Sequence, residues 1–206
     1  QLARRTMAGR TFFPRMSFGI FDYSKMSGQV SSLKFSSDEL KSDSCNVLEA
    51  VKLNGMDLSY ASDKLKKDRN IVLEAVKQDG LALAYATNNL TNDPHIVLEA
   101  VKQNGMSLGY ASPEMKNDPH IVLEASRQNG GAFQYASDEL KCNFNLFLKA
   151  VQLNGRTLEY ASIELKNDPT IVLEAVKQNC CALRYASKEL KNDPNIVLEA
   201  VKQNGF

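Results

Sequence analysis

IVLEAVKQNG, residues Ile96 to Gly105, recurs along the chain, with near-copies beginning at Ile71, Ile121, Leu146, Ile171 and Ile196 and a weaker one at Asn46. Aligned on the second residue, the markers Val47, Val72, Val97, Val122, Phe147, Val172 and Val197 fall 25 residues apart at every step. A fixed period of that size, kept without one insertion, marks a stacked repeat array rather than a globular enzyme.

The unit Asn92 to Lys116 shows how each copy is built. Asp93 supplies a side-chain acceptor for the free amides at a helix start, and Pro94 lacks a donor where none is needed. The same pair recurs at Asp118-Pro119, Asp168-Pro169 and Asp193-Pro194. A helix is expected from about Pro94 to Asn104, with Ile96, Val97, Ala100 and Val101 on its buried face. Gly105 is expected to end it in the left-handed cap conformation, as are Gly55, Gly80, Gly130, Gly155 and Gly205. So short a helix is marginal alone, so stacking has to stabilise it. After the cap, Leu108, Tyr110 and Ala111 predict a second, shorter helix, and Ser112 caps one further turn ending near Met115. The fold class read from these features is all-α: a right-handed α-solenoid of 25-residue helical repeats over residues 35–206, about seven units with the last incomplete, preceded by an extended N-terminal arm over residues 1–34. The sequence stops directly after a helix of the first kind, so the end is expected to be covered by further chain or by another subunit.

The net charge of +1 excludes a strong polyelectrolyte role, yet it conceals a division along the chain. Residues 1–34 carry Arg4, Arg5, Arg10, Arg15, Lys25 and Lys34 against Asp22 alone, whereas the repeats are mildly acidic. Because the basic charge does not continue along the repeats, no nucleic-acid partner is expected. Cys45, Cys142, Cys180 and Cys181 follow no framework spacing and read as reduced thiols or small core fillers. No apolar run approaches the roughly 20 residues of a membrane span, so membrane contact is expected to be peripheral or through partners.

Within the arm, Phe12, Phe13, Phe18, Ile20, Phe21 and Tyr23 crowd twelve positions, denser than a solvated tail needs. Phe12, Phe13, Phe18, Phe21 and Tyr23 are therefore candidate partner-binding residues. The arm's Arg- and Ser-rich, acid-poor composition is that of an organellar transit region. RRTMAGR and PRMSFGIFD also resemble the processed start of plastid antenna proteins in red-lineage algae, which implies a plastid location; the cytoplasm is the alternative.

The repeat words LEAVKQNG, LxYAS and ELKNDP resemble the tandem repeats known as the domain of unknown function number forty-one-sixteen, from about Phe35 to Phe206. That resemblance implies an all-helical interaction array and no catalytic residues. The residues read the same way. Glu49, Glu74, Glu99, Glu124, Glu174 and Glu199 each have a Lys or Arg three positions on, and where Glu becomes Lys149 the partner becomes Gln152, as a local charge pair requires. His95 and His120 share their slot with Thr170 and Asn195, so imidazole is not required there. No catalytic, metal-binding or cofactor-binding residue is expected, and pigments or lipids enter only through a partner complex.

Two places depart from the fixed frame. The residue after the repeat Leu changes from unit to unit: Ser59, Ala84, Gly109, Gln134, Glu159, Arg184. Residues 141–150, KCNFNLFLKA, lose Asp-Pro and gain Phe144 and Phe147, which are taken as partner-binding residues, the alternative being local repacking. The expected function is a non-catalytic protein–protein interaction scaffold, an accessory or linker subunit of a large organellar assembly such as a plastid photosystem with its antenna. The alternatives are a free adaptor or effector-type module that binds a soluble protein, and the regulatory repeat region of a longer enzyme.

Overall fold

The structure is a computed structural model that describes residues 33–203, and among these there are helices and no strands. The described residues open on a 3-10 turn, Leu33–Phe35, then α1 (Asp38–Ser42) and α2 (Ser44–Leu53). Next come α3 (Arg69–Gln78), the short α4 (Asn88–Thr91) and α5 (Pro94–Gln103). The pattern continues with α6 (Pro113–Lys116), α7 (Pro119–Gln128), α8 (Asp138–Lys141) and α9 (Phe144–Leu153). It closes with α10 (Ile163–Lys166), α11 (Pro169–Gln178) and α12 (Pro194–Gln203). The long helices α2, α3, α5, α7, α9, α11 and α12 form one layer, each packed on the next. Leu33 is buried, and its N–H donates to Asp57 Oδ2 at 2.8 Å, so the array takes in residues just before position 35.

Local chemistry sets the long helices. Asp93 Oδ1 accepts from the backbone N–H of His95 at 2.9 Å and of Ile96 at 3.2 Å, and Pro94 occupies the first turn. Asp68, Asp118, Asp168 and Asp193 cap their helices in the same way, each bond contributing about 1 kcal/mol. Ile96, Val97, Ala100 and Val101 are wholly buried, as are most of their counterparts, in one continuous core. On the outer face, Glu74–Lys77, Glu99–Lys102, Glu124–Arg127, Glu174–Lys177 and Glu199–Lys202 pair across one turn. Where Lys149 replaces Glu, Gln152 reaches instead to Glu174 of the next unit at 3.3 Å.

The glycines act differently from the left-handed caps expected of them. None of those described takes a positive φ, and the helix ends at Asn104, whose backbone is extended at φ −148° and ψ 109°. The Asn104 side chain accepts from Met106 N–H at 3.0 Å and so starts a 3-10 helix, Gly105–Tyr110, rather than a second α-helix. Asn54, Asp79, Asn129, Asn154 and Asn179 repeat this turn. At Gly105 a Cβ would lie 2.3 Å from the carbonyl oxygen of Ala125, in the long helix of the next unit, so glycine gives the closest approach; Cys180 takes the same slot before α12. Gly55, Gly80 and Gly155 meet Ala75, Ala100 and Ala175 likewise. Gly205 lies outside the described residues.

The short helices are stitched from unit to unit. Ser112 Oγ accepts from Met115 N–H at 3.2 Å, and Ser112 N–H donates back to Thr91 O of the preceding unit at 2.9 Å. The same backbone bond joins Ser62 to Lys41, Thr87 to Lys66, Ser137 to Lys116 and Ser187 to Lys166. None of the four cysteines is a core filler: Cys45, Cys142 and Cys181 are exposed, Cys180 is half-buried, and all are free thiols. On α12, Val201 is exposed where Val151 and Val176 are buried by the following helix.

Candidate functional site

Burial, caps and stitching account for residues that stay the same from unit to unit, while the first residues of the short helices and the outer edge of the 3-10 layer differ between units. At its centre Gly109 lets the ring of Tyr135 lie against the backbone, since a Cβ there would sit 3.1 Å from that ring. Towards the C-terminal units the edge becomes charged. Arg156 Nε donates to Glu159 Oε2 at 3.3 Å, and the Arg184 guanidinium lies 5.2 Å from the Tyr185 ring centre. The Tyr185 hydroxyl, with Arg156, holds the Glu159 carboxyl below its usual value, and the same hydroxyl–carboxylate bond raises Tyr185.

In the other direction the edge row, Ser59, Ala84 and Gly109, carries no charge, and the surface beside it is hollow. An open depression of about 750 Å³ lies between α4 and the start of α6, lined by Ala84, Asn88, Asn92 and Tyr110 among others. A second, of about 600 Å³, is lined by Lys67, Thr87, Asn88, Asn89 and Leu90. Tyr110 is 50% exposed, so its ring stands at the rim.

The irregular stretch at residues 141–150 breaks the stitching. Ser162 N–H has no bond to Lys141 O, the one such junction where the bond is missing among the described residues. Elsewhere Ser112 Oγ bonds Asn92 Oδ1 and Ser137 Oγ bonds Asn117 Oδ1, but the matching slot before Ser162 holds Cys142. Two apolar side chains flank this junction in sequence: Phe144, 40% exposed, and Ile163, 83% exposed.

Of the residues singled out from sequence, Phe144 stands at the surface, whereas Phe147 does not. Phe147 is 0% exposed and meets Phe133 edge-on, ring centres 5.0 Å apart and planes at 88°. As a partner-binding residue it is corrected: it takes the buried Val slot, with Phe133 in the Leu slot one unit earlier, and the two fill the core together. Phe12, Phe13, Phe18, Phe21 and Tyr23 lie outside the described residues. Ile163 and the Asn88–Asn89 pair are not among the candidates from sequence, although the sequence carries their signal. Ile163 stands where other units have Asp63, Asp138 or Lys188, and Asn88–Asn89 where others carry acids and lysines. Among the described residues no three His, Cys, Asp or Glu side chains gather to hold a metal ion, and no helix is long and apolar enough to cross a membrane.

Stacked long helices, a 3-10 layer and capped short turns, repeated every 25 residues, define an all-α repeat solenoid. The chain belongs to the family described as Domain of unknown function (DUF4116), which matches it in overlapping segments over residues 26–66, 46–91, 93–141, 118–166, 143–191 and 168–206. No match is found among curated proteins or among solved structures.

Proposed function

We propose that the array is a non-catalytic protein–protein interaction scaffold, an accessory subunit of a larger assembly in a plastid, possessing no cofactor of its own and meeting pigments or lipids only through its partners. The observation that carries this reading is the division of labour within each unit: the recurring residues stack, cap or stitch, while the edge row from Ser59 to Arg184 changes chemistry on an unchanged frame. Exposed Phe144 and Ile163, at the junction where stitching is lost, supply the apolar area for a partner contact. Burying a fully exposed side chain of this size contributes up to about 1.5 to 3 kcal/mol, and Phe144, already more than half buried, contributes less than Ile163. The plastid location rests on the RMSFGIFD resemblance near the start of the chain.

The test is to replace both side chains, Phe144→Asp with Ile163→Asp, in the full chain and to purify it from its own cells. Loss of co-purifying subunits with an unchanged helical spectrum supports the reading. Undiminished association with the same subunits refutes the assignment of this contact.

A further inference from the structure

We propose that the uncharged shelf made by α4 and the depressions beside it binds the main chain of an extended, uncharged polypeptide segment of a partner. This rests on the interaction reading above and gives the chemistry of one contact. The short helices of other units carry full charges: Asp138, Glu139 and Lys141 on α8, Glu164 and Lys166 on α10. On α4 the matching residues are Asn88, Asn89 and Thr91, and the following residue is Asn92. Exchanging Glu and Lys for Asn and Thr shortens the side chains and removes their charge, and both depressions, of about 750 and 600 Å³, open against Asn88 and Asn89.

The amides there are available. Asn88 and Asn89 are exposed, and their side chains bond to no protein group among the described residues. Asn92 accepts from Ser112 Oγ through Oδ1 at 2.6 Å, which leaves its amino group as a donor. A side-chain amide offers a donor and an acceptor together, the complement of a peptide group. Asn88 and Asn92 are one helical turn apart, a rise of about 6 Å. An extended chain repeats every two residues over about 6.7 Å, so alternate peptide groups of one strand can meet the two amides in register. Ala84 and Ala111 line the depression and suit a small apolar side chain, and the half-exposed ring of Tyr110 stands beside them. Of the residues lining the depressions only Glu114, in one, and Lys67, in the other, are charged, so most of the polar surface that a segment meets there is neutral amide and hydroxyl.

The probe is the capped peptide acetyl-Ser-Ala-Ser-Ala-Ser-Ala-amide, titrated to millimolar concentration into the full chain while the asparagine side-chain amides are followed by nitrogen-15 NMR. Saturable shifts confined to Asn88, Asn89 and Asn92 are expected. A variant carrying Asn89→Glu and Thr91→Lys rebuilds the Glu-Leu-Lys pattern of its siblings, keeps the fold, and should weaken binding at least about tenfold. Absence of saturable shifts, or equal shifts at Asn117, Asn167 and Asn192, overturns the proposal. So does maltose moving the three amides when the peptide does not, which marks a saccharide groove. Failure here leaves the Phe144 and Ile163 test of the scaffold reading standing, because that test reads a different junction.

Discussion

Gly105 shows what a single residue decides in this array. With 2.3 Å between a built Cβ and Ala125 O, Gly105→Ala forces the next helix away. Overpacking against backbone should cost about 3 kcal/mol, read as a lower denaturant midpoint at unchanged slope. A loss under about 0.5 kcal/mol would show that the helix has room to move. From sequence, a glycine after a helix reads as a left-handed cap, because the local pattern is the same. The close contact is made twenty residues further on, and no local rule sees it. Phe147 was hidden for a similar reason. Its room comes from the adjacent unit, where Phe133 turns to meet it. Phe147→Val should therefore cost about 1 to 3 kcal/mol by opening a void, whereas Phe144→Asp should stay within about 0.5 kcal/mol. Acid is a further test at this scale. Burial lifts Asp93, but the Arg69 guanidinium and the N–H groups of Ile96 and His95 outweigh that and hold it low. Arg127 does the same for Glu124, and Lys177 for Glu174. Carboxylates depressed on folding contribute stability above their unfolded pKa of about 4, and it is lost as the pH falls through the folded values. Chemical-denaturation midpoints should drop below about pH 4; a rise there would contradict these bonds.

At the scale of the element, the long helix was legible and the layer beside it only in part. Asp-Pro starts, the Ile-Val-x-x-Ala-Val face and the side-chain bonds of Ser112, Ser137, Ser162 and Ser187 are legible because each acts within one turn; Ser62, in the same slot, makes no such bond, and a 3-10 turn, Leu65–Lys67, follows it. The 3-10 form of Gly105–Tyr110 follows from the extended backbone of Asn104 and its side-chain turn, a cue that the neighbouring glycine obscured. A ten-residue helix lies below the length at which helices persist in water. A peptide of residues 92–116 should accordingly show little helicity by circular dichroism, and a strongly helical peptide would place the stability inside the unit instead of between units. The stitching makes a sharper prediction. Ser162 N–H, lacking the backbone partner that its counterparts have, should exchange its hydrogen faster than Ser112, Ser137 and Ser187. Equal protection at all of these amides would mean that the junction is closed in solution.

For the whole molecule, the sequence period defined the array from end to end, since a repeat that contacts only its neighbours writes its spacing directly into the chain. The function was less legible. Surface residues on a fixed frame are free to differ, and only their placement separates a contact from a solvated face: Phe144 and Phe147 looked alike in sequence, and one is at the surface while the other is core. The most direct measurement of the scaffold reading is the native mass of the particle that holds this chain, isolated gently from its source and mapped by cross-linking. The expected result is a particle far heavier than the 22.9 kDa of the chain, with links from other subunits falling near Phe144, Ile163 and the edge between Ser59 and Arg184. A chain that runs at its own mass, with no link to another protein, would contradict it.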